Sequence, residues 1–331
     1  MTMINIAIIG CGDMGVLHAE SLQKIPAAQL YACCDLNEKK VQSFSARFHI
    51  RYATLNPEKF FSDPQIDAIY IASTTDSHLD LFRKVVKSGK HILIEKPLAL
   101  STADAFEIYQ SSQQSRSIMM TAFKFRFYAM IQKAHQLIPD PFMASIHIID
   151  DPWSPDFWAN QPNKGGGNVI SQGVHGTDLL WHFIGSEPEL VFGVANNYHQ
   201  PTGAIDNLAA TFRFKNGAAG NLMVGDCGAA PLVSKFIVQL YGRQGTITLV
   251  DRLTGLYFKP IHEKEVIQFH GAEDGIFQEN KIFIDAILGN EHNYPTIWDG
   301  FVAQAMIDAA IRSSQQNKAV SVLDSKMKNS K

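Results

Sequence analysis

The stretch Ile4-Asn5-Ile6-Ala7-Ile8-Ile9-Gly10-Cys11-Gly12-Asp13-Met14-Gly15 decides the fold. Residues 4–9 are a short apolar run bounded by glycine, the pattern of a buried parallel strand. Residues 14–24 then have helical spacing, with Val16, Leu17 and Leu22 apolar, and stop before Pro26. Between them lies GxGxxG. That pattern is weak alone, but where it joins a strand to a helix it predicts a dinucleotide-binding turn. Gly10 permits the tight turn, Gly12 lets the backbone approach a pyrophosphate, and Gly15 lets helix and strand pack closely. The helix start offers N–H groups and the positive end of its dipole to phosphates.

Outward from that turn the chain keeps alternating. Strands are predicted over 29–34, 68–72, 91–94 and 118–121, and helices over 38–48, 77–87 and from Ser101. Such alternation implies a parallel sheet covered by helices on both faces. The second strand ends at Asp35, some 20 residues beyond Gly15. Its carboxylate can accept hydrogen bonds from ribose hydroxyls and would repel a 2′-phosphate. Leu36, Asn37 and Glu38 follow, with no arginine, so NAD is predicted over NADP. Without the upstream turn, Asp35 would read as a helix cap. The third strand ends in Ser73-Thr74-Thr75-Asp76-Ser77-His78. Its hydroxyl groups suit cofactor phosphates or the nicotinamide ribose, and Asp76 or Ser77 also suits a helix N-cap. The fourth ends in Glu95-Lys96-Pro97, which sets a lysine at the carboxyl edge of the sheet, where open α/β sheets bind ligands.

After Phe123 the pattern changes. A helix over 129–137, a strand over 144–150, a loop over 151–167 rich in Pro, Trp, Asn and Gly, and a helix over 169–183 are expected. About five strands follow, in which Phe212/Phe214 and Ile247/Leu249 alternate with polar neighbours, the mark of an antiparallel sheet with one covered face. Helices over 277–288 and 300–312 and a fraying polar tail from Ser313 complete the reading. The expected architecture is α/β: a Rossmann doubly wound parallel sheet over residues 1–122, then an α+β domain over 123–331 with a large open, mostly antiparallel sheet.

Composition agrees with a soluble globular protein of 331 residues, 46% hydrophobic and 18% charged. Net charge is −3, which gives no footprint for nucleic acid or an anionic membrane. Cys11, Cys33, Cys34 and Cys227 form no CxxC pair, so neither a zinc site nor a redox motif is expected. They read as reduced, buried thiols of a cytoplasmic protein. The N-terminus has no basic segment ahead of an apolar run, so no signal peptide is expected, and no run approaches a membrane span.

Taken in order, several motifs resemble the glucose–fructose oxidoreductase / inositol dehydrogenase family (Gfo/Idh/MocA). They are the glycine loop of residues 10–15, Asp35, His78, Gly89-Lys90-His91-Ile92-Leu93-Ile94-Glu95-Lys96-Pro97, Gly165-Gly166-Gly167 and Gly173-x-His175-x-x-Asp178. Phe283-x-x-Ala286-Ile287 and Trp298-Asp299-Gly300 fit it too. The resemblance spans essentially the whole chain, and the EKP and GGG…GxHxxD elements are far more specific than GxGxxG. It implies NAD(H) or NADP(H) as cofactor, a sugar, polyol or sugar derivative as substrate, and a homodimer or homotetramer made through the C-terminal sheet. It also implies that Lys96 and His175 lie beside the reacting hydroxyl. Cofactor contacts are then expected from Gly10, Cys11, Gly12, Asp13, Met14, Gly15, Asp35, Ser73, Thr74, His78, Glu95 and Lys96. Substrate contacts are expected from Lys96, Ser171 and His175; Arg126, just after the last Rossmann strand, reads equally as a substrate contact or a domain-interface ion pair, and Trp158 as a sugar-stacking aromatic or as loop packing.

The chemistry fits those residue types. Oxidising a secondary alcohol needs a base for the hydroxyl proton, and histidine titrates near neutrality. Lysine can donate to the developing alkoxide or relay a proton. Ser171, His175, Asp178 and His182 are spaced to share one helix face, which reads as a pocket wall with Asp178 orienting His175 or serving structure. Metal ligation by His175, Asp178 and His182 is geometrically allowed, but no further ligands cluster nearby in sequence, so no metal is expected. Ser171 departs from the family's frequent aspartate, which pairs with the histidine. Trp153 and Asn160 share the long loop with Trp158 and serve as lid or as packing. Two other functions stay open: an NAD-requiring glycosidase or lyase using transient oxidation, and a non-catalytic NAD-sensing regulator.

Overall fold

A computed structural model of the chain describes residues 2–230, 235–290, 292–324 and 327. In chain order it forms β1 (Ile4–Ile9), α1 (Asp13–Leu22), β2 (Ala28–Cys34), α2 (Glu38–Phe48), β3 (Tyr52–Thr54), α3 (Glu58–Ser62), β4 (Ala68–Ile71), α4 (His78–Ser88), β5 (His91–Glu95), α5 (Thr102–Ser112) and β6 (Met119–Ala122). It continues with α6 (Ala129–Leu137), β7 (Met143–Ile149), α7 (Asn168–Ile184), β8 (Pro188–Asn196), β9 (Asn207–Phe214), β10 (Ala219–Gly225), β11 (Phe236–Gly242), β12 (Gly245–Val250), β13 (Gly255–Pro260) and β14 (Ile267–His270). The helices α8 (Gly275–Ile287) and α9 (Ile297–Gln316) and the strand β15 (Val320–Ser321) close the chain. Two compact units result. One holds the chain up to Ala99 with Ala103–Lys124 and Ile276–Gly300; the other holds Leu100–Thr102, Phe125–Gly275 and the chain from Phe301.

The first unit carries a six-stranded parallel sheet in the order β3-β2-β1-β4-β5-β6. Chain order reverses between β1 and β4, which makes the crevice at their carboxyl ends a topological switch point. β1 and β4 are central and buried on both faces, which is why they read as continuous apolar runs. The core extends to the late helix α8, where Phe283 meets Tyr70 edge-on at 5.5 Å, both fully buried. Each such side chain contributes about 1.5–3 kcal/mol of burial. The short edge elements β3 and α3 were not foreseen, since three and five residues are too few to show a period.

The second unit carries a nine-stranded sheet in the order β14-β13-β12-β11-β7-β10-β9-β8-β15. All its pairs are antiparallel except β10 with β7. The sequence predicted about five strands after α7, whereas eight form among the described residues; β14, almost wholly exposed, and β15, two residues long, carry little signal. α7 covers one face. Gly176 permits this, since a Cβ there would come within 2.4 Å of Leu222 Cδ1. The chain after Ser313 does not fray as predicted: Ser313 is fully buried, accepts Gly193 N–H and donates to Lys318 O, and Val320 pairs with Val191. Residues 325, 326 and 328–331 of the predicted tail lie outside the described residues.

Candidate active site

In the first unit, the carboxyl ends of β1, β2, β4 and β5 bring Gly10, Asp35, Ser73 and Lys96 to one edge of the parallel sheet. Gly10 has φ +107°, and a Cβ there would lie 2.3 Å from Ala72 O. A Cβ on Gly15 would lie 2.0 Å from Gly10 O. Both glycines are therefore demanded by packing. Gly12 differs, because a Cβ there meets nothing within 4 Å, so the backbone stands open to a ligand. α1 starts at Asp13 with Gly12 as N-cap and no side chain capping it. This glycine turn fits a dinucleotide pyrophosphate, with Asp13 exposed and Met14 half-buried beside it.

Asp35 belongs to the same turn. Its Oδ2 accepts the Cys11 N–H at 2.9 Å and its Oδ1 accepts the Asn37 N–H at 2.8 Å. A carboxylate has about four lone-pair positions, so two acceptor sites remain for ribose hydroxyls. Burial pushes the Cys34 thiol up to about 12, whereas the Cys11 thiol beside Cys33 pulls that one down. Cys11, Cys33 and Cys34 are buried as predicted, but Cys227 is exposed, because it lies past the end of β10 rather than within a covered strand.

At the end of β4, Ser73 Oγ and Ser77 Oγ are 2.7 Å apart, and Ser77 Oγ donates to Thr74 O. Ser73 and Thr74 are half-buried. Ser77 takes the N-cap position of α4 without capping it through its side chain. His78 is buried, and its Nδ1 and Nε2 lie 3.0 and 3.2 Å from Pro97 O and Ser73 O. It thus braces the strand ends of β4 and β5 against each other. Burial pushes His78 below the ordinary histidine value, despite those carbonyls.

Lys96 is half-buried at the end of β5, and its N–H donates to Glu95 Oε2 at 3.1 Å. Glu95 itself is 5% exposed. Burial raises its pKa, but the hydrogen bond and charge of His18, and the charges of Lys96 and Lys124, outweigh that and hold it below the usual carboxylate range.

In the second unit, α7 begins directly after Gly165-Gly166-Gly167, of which Gly166 and Gly167 have φ +80° and +87°. Ser171, His175 and Asp178 are all buried on α7. The polar stripe is therefore not a solvated face. His175 packs against Phe125 with ring centroids 4.4 Å apart. Asp178 grips Arg126: the Arg126 Nε donates to both carboxylate oxygens at 3.0 Å and Nη2 to Oδ1 at 2.5 Å. His182 stacks on His135 at 5.0 Å. Trp158 is 40% exposed, whereas Asn160 is buried and donates to Gln200 Oε1, and Trp153 donates from Nε1 to Asp150 Oδ2. Asn160 and Trp153 thus fasten the long loop.

A model described as "Oxidoreductase family, NAD-binding Rossmann fold" matches residues 4–123, and one described as "Oxidoreductase family, C-terminal alpha/beta domain" matches residues 137–322. The chain belongs to the Gfo/Idh/MocA oxidoreductase family. It is 25% identical over 340 residues to a myo-inositol 2-dehydrogenase of Thermotoga maritima, covering 96% of this chain and 98% of that one. It is 25% identical over 254 residues to a scyllo-inositol 2-dehydrogenase (NAD(+)) of Bacillus subtilis, covering 74% and 73%. Its fold matches a levoglucosan dehydrogenase in complex with NADH and L-sorbose, with a TM-score of 0.90 at 20% identity, covering 98% and 100%. This Gfo/Idh/MocA chain is thus an oxidoreductase whose first unit is an NAD-binding Rossmann fold. Among the described residues no helix is long and apolar enough to cross a membrane.

Two polar clusters of this Gfo/Idh/MocA chain escaped the sequence reading. His18, Glu95 and Asn280 form a buried chain of hydrogen bonds in the first unit. The available signal was a histidine on the inward face of α1, but its partners lie 77 and 262 residues away. In the second unit, His199, Asp206 and Asp226 bring ligand atoms within 4.8 Å of one another. Asp206 accepts N–H from Tyr198, His199, Gln200 and the Asn207 amide, so its carboxylate is largely occupied in holding the β8–β9 connection.

Proposed function

We propose that this protein is an NAD-dependent dehydrogenase of a sugar, polyol or sugar derivative, acting at a secondary hydroxyl or keto carbon. The observation that carries the reading is Asp35, fixed by the Cys11 N–H beside an open Gly12. That carboxylate suits the ribose diol of NAD and opposes the 2′-phosphate of NADP. Gly10, Cys11, Gly12, Asp13, Met14 and Gly15 would hold the pyrophosphate, and Ser73, Thr74, Glu95 and Lys96 line the same sheet edge. When bound, the nicotinamide accepts or returns the hydride.

The chain's own residues then manage the proton. Lys96 Nζ donates to the substrate oxygen and stabilises negative charge as it develops. An imidazole nitrogen of His175 takes the hydroxyl proton on oxidation and returns it on reduction. Ser171, one turn before His175, is an uncharged residue where the family frequently has an aspartate. Arg126 and Trp158 are assigned to substrate contact. The inositol, levoglucosan and sorbose of the relatives' names support a polyhydroxylated substrate.

The open face of the nine-stranded sheet exposes Phe192, Val194 and Met223 at 45%, 55% and 45%. We assign that face to a homodimer or homotetramer, and the protein to the cytoplasm.

A screen of polyols, aldoses and nucleotide sugars with NAD⁺, read as NADH absorbance, tests the proposal, with aryl-glycoside hydrolysis run alongside. Lys96→Ala and His175→Ala are expected to lower turnover of an identified substrate by about a hundredfold or more. Full turnover in both variants refutes the assignment, and hydrolysis without NADH favours the glycosidase reading.

A further inference from the structure

The hydrogen-bond inventory around His18 fixes the protons there. Asn280 Nδ2 lies 2.8 Å from Ile276 O and 3.1 Å from Ser21 Oγ. A carbonyl only accepts, so the amide nitrogen must face Ile276 and Asn280 Oδ1 must face His18 Nδ1, 3.1 Å away. Oδ1 also only accepts, so His18 Nδ1 carries a proton. The other ring nitrogen, Nε2, lies 3.0 Å from Glu95 Oε1. One further proton must lie between them, on His18 as an imidazolium or on Glu95 as a neutral acid. The surroundings choose. Glu95 stands next to the ammonium groups of Lys96 and Lys124, both of which favour its ionised form. Its second oxygen accepts the Lys96 N–H, which also favours the carboxylate.

We propose that His18 is a positioning residue for the reaction, a buried imidazolium that keeps Glu95 ionised and, through it, fixes Lys96 at the end of β5. This rests on Lys96 acting at the substrate oxygen, as proposed above. His18 is fully buried, so its charge is paired by Glu95 rather than by water. Around it stand Glu95 from β5, Tyr70 from β4 edge-on at 5.3 Å and Asn280 from α8, which in turn donates to Ser21 of the same helix as His18. A further acid, Glu279, is also fully buried and acts on Tyr70. Because α1 opens at the glycine turn, His18 links the helix that would meet the pyrophosphate to the strand end that bears the lysine. Glu95, in turn, is a local negative charge that favours Lys96 as an ammonium, the form that donates to an oxyanion.

The test has two parts on the full-length protein, the first with NADH bound and the second with NAD⁺ as the oxidant. Histidine-¹⁵N NMR, with His18 assigned by the resonance missing in His18→Gln, reads the ring directly. Both ring nitrogens should carry protons at neutral pH, as the hydrogen bonds to Asn280 Oδ1 and Glu95 Oε1 require. A bare ring nitrogen at neutral pH overturns the proposal. If His18→Gln does not fold, Glu95→Gln serves for assignment, since it keeps the shape and removes the charge beside the ring, so the resonance it moves is that of His18. The second part is kinetic. With an identified alcohol substrate, His18→Gln should lower kcat about tenfold or more with KM little changed. It should also move the acid limb of kcat upward, as the buried Glu95 then takes a proton more easily. A wild-type kcat and acid limb in that variant overturns the proposal. Absence of any alcohol oxidation instead defeats the dehydrogenase reading, while the ring measurement still decides the state of His18.

Discussion

Cys11 donates its backbone N–H to Asp35 Oδ2 at 2.9 Å, so the glycine turn after β1 and the carboxylate after β2 form one rigid unit. The turn aims the carboxylate, and the carboxylate in turn stabilises the turn. Replacing Asp35 with alanine should therefore do two things. NADH binding should weaken about tenfold to a hundredfold, the worth of a charge-assisted hydrogen bond of about 1.5–3 kcal/mol. NADPH should lose less, because the repulsion goes too. Fluorescence titration of both cofactors checks this, and an unchanged NADH affinity counts against Asp35 as the ribose ligand.

The glycines of the turn should separate by phenotype. Gly10→Ala forces a Cβ into Ala72 O at φ +107° and should destabilise the fold by roughly 1–3 kcal/mol, read as a lower Tm. Gly12→Ala meets nothing within the protein, so Tm should hold while NADH affinity falls. Equal loss of Tm in both variants contradicts the open-backbone reading of Gly12.

Arg126 and Asp178 are a buried ion pair in which Asp178 is 1% exposed. Asp178→Asn removes the charge from this hydrogen-bonded pair and should cost about 1.5–3 kcal/mol of stability in urea unfolding. A neutral result shows that Asp178 contributes little to holding Arg126.

Burial pushes His78, His91, His135 and His147 below the ordinary value of 6.5. Each therefore binds its proton more weakly folded than unfolded. Above 6.5 these sites are neutral in both states. As pH falls below 6.5 the unfolded chain takes up the protons first, and stability drops until the lowered folded values are passed. Urea midpoints should fall from neutral pH toward acid, and His78→Gln should shallow that slope.

Val194, Ala209 and Met223 sit opposite one another across β8, β9 and β10, on the open face of the sheet. Met223→Glu should lower the oligomeric state in light scattering while leaving NADH binding intact. A monomeric wild type removes the assignment of that face.

Much of the fold was legible because its signals are local. The runs Ile4–Ile9 and Ala68–Ile71 are apolar enough, and the alternation around Phe212 regular enough, to identify each kind of sheet. The elements that escaped are short or lie at edges, such as Tyr52–Thr54 and Val320–Ser321, where too few residues exist to carry a period. The return of residues 276–300 to the first unit was also not legible, since Phe283 reads as an ordinary core residue until Tyr70 is beside it.

The sequence by itself determined the glycine turn, the acid that follows it, the lysine at a strand end and the histidine on a glycine-introduced helix, because each rests on spacing within one element. Only the tertiary structure decided who pairs with whom. Asp178 could not be assigned to Arg126, 52 residues away, nor His18 to Glu95, 77 residues away, from spacing alone. A buried charge must find a partner, but which partner depends on which distant elements pack together, and that is set by the whole core rather than by any one stretch of chain.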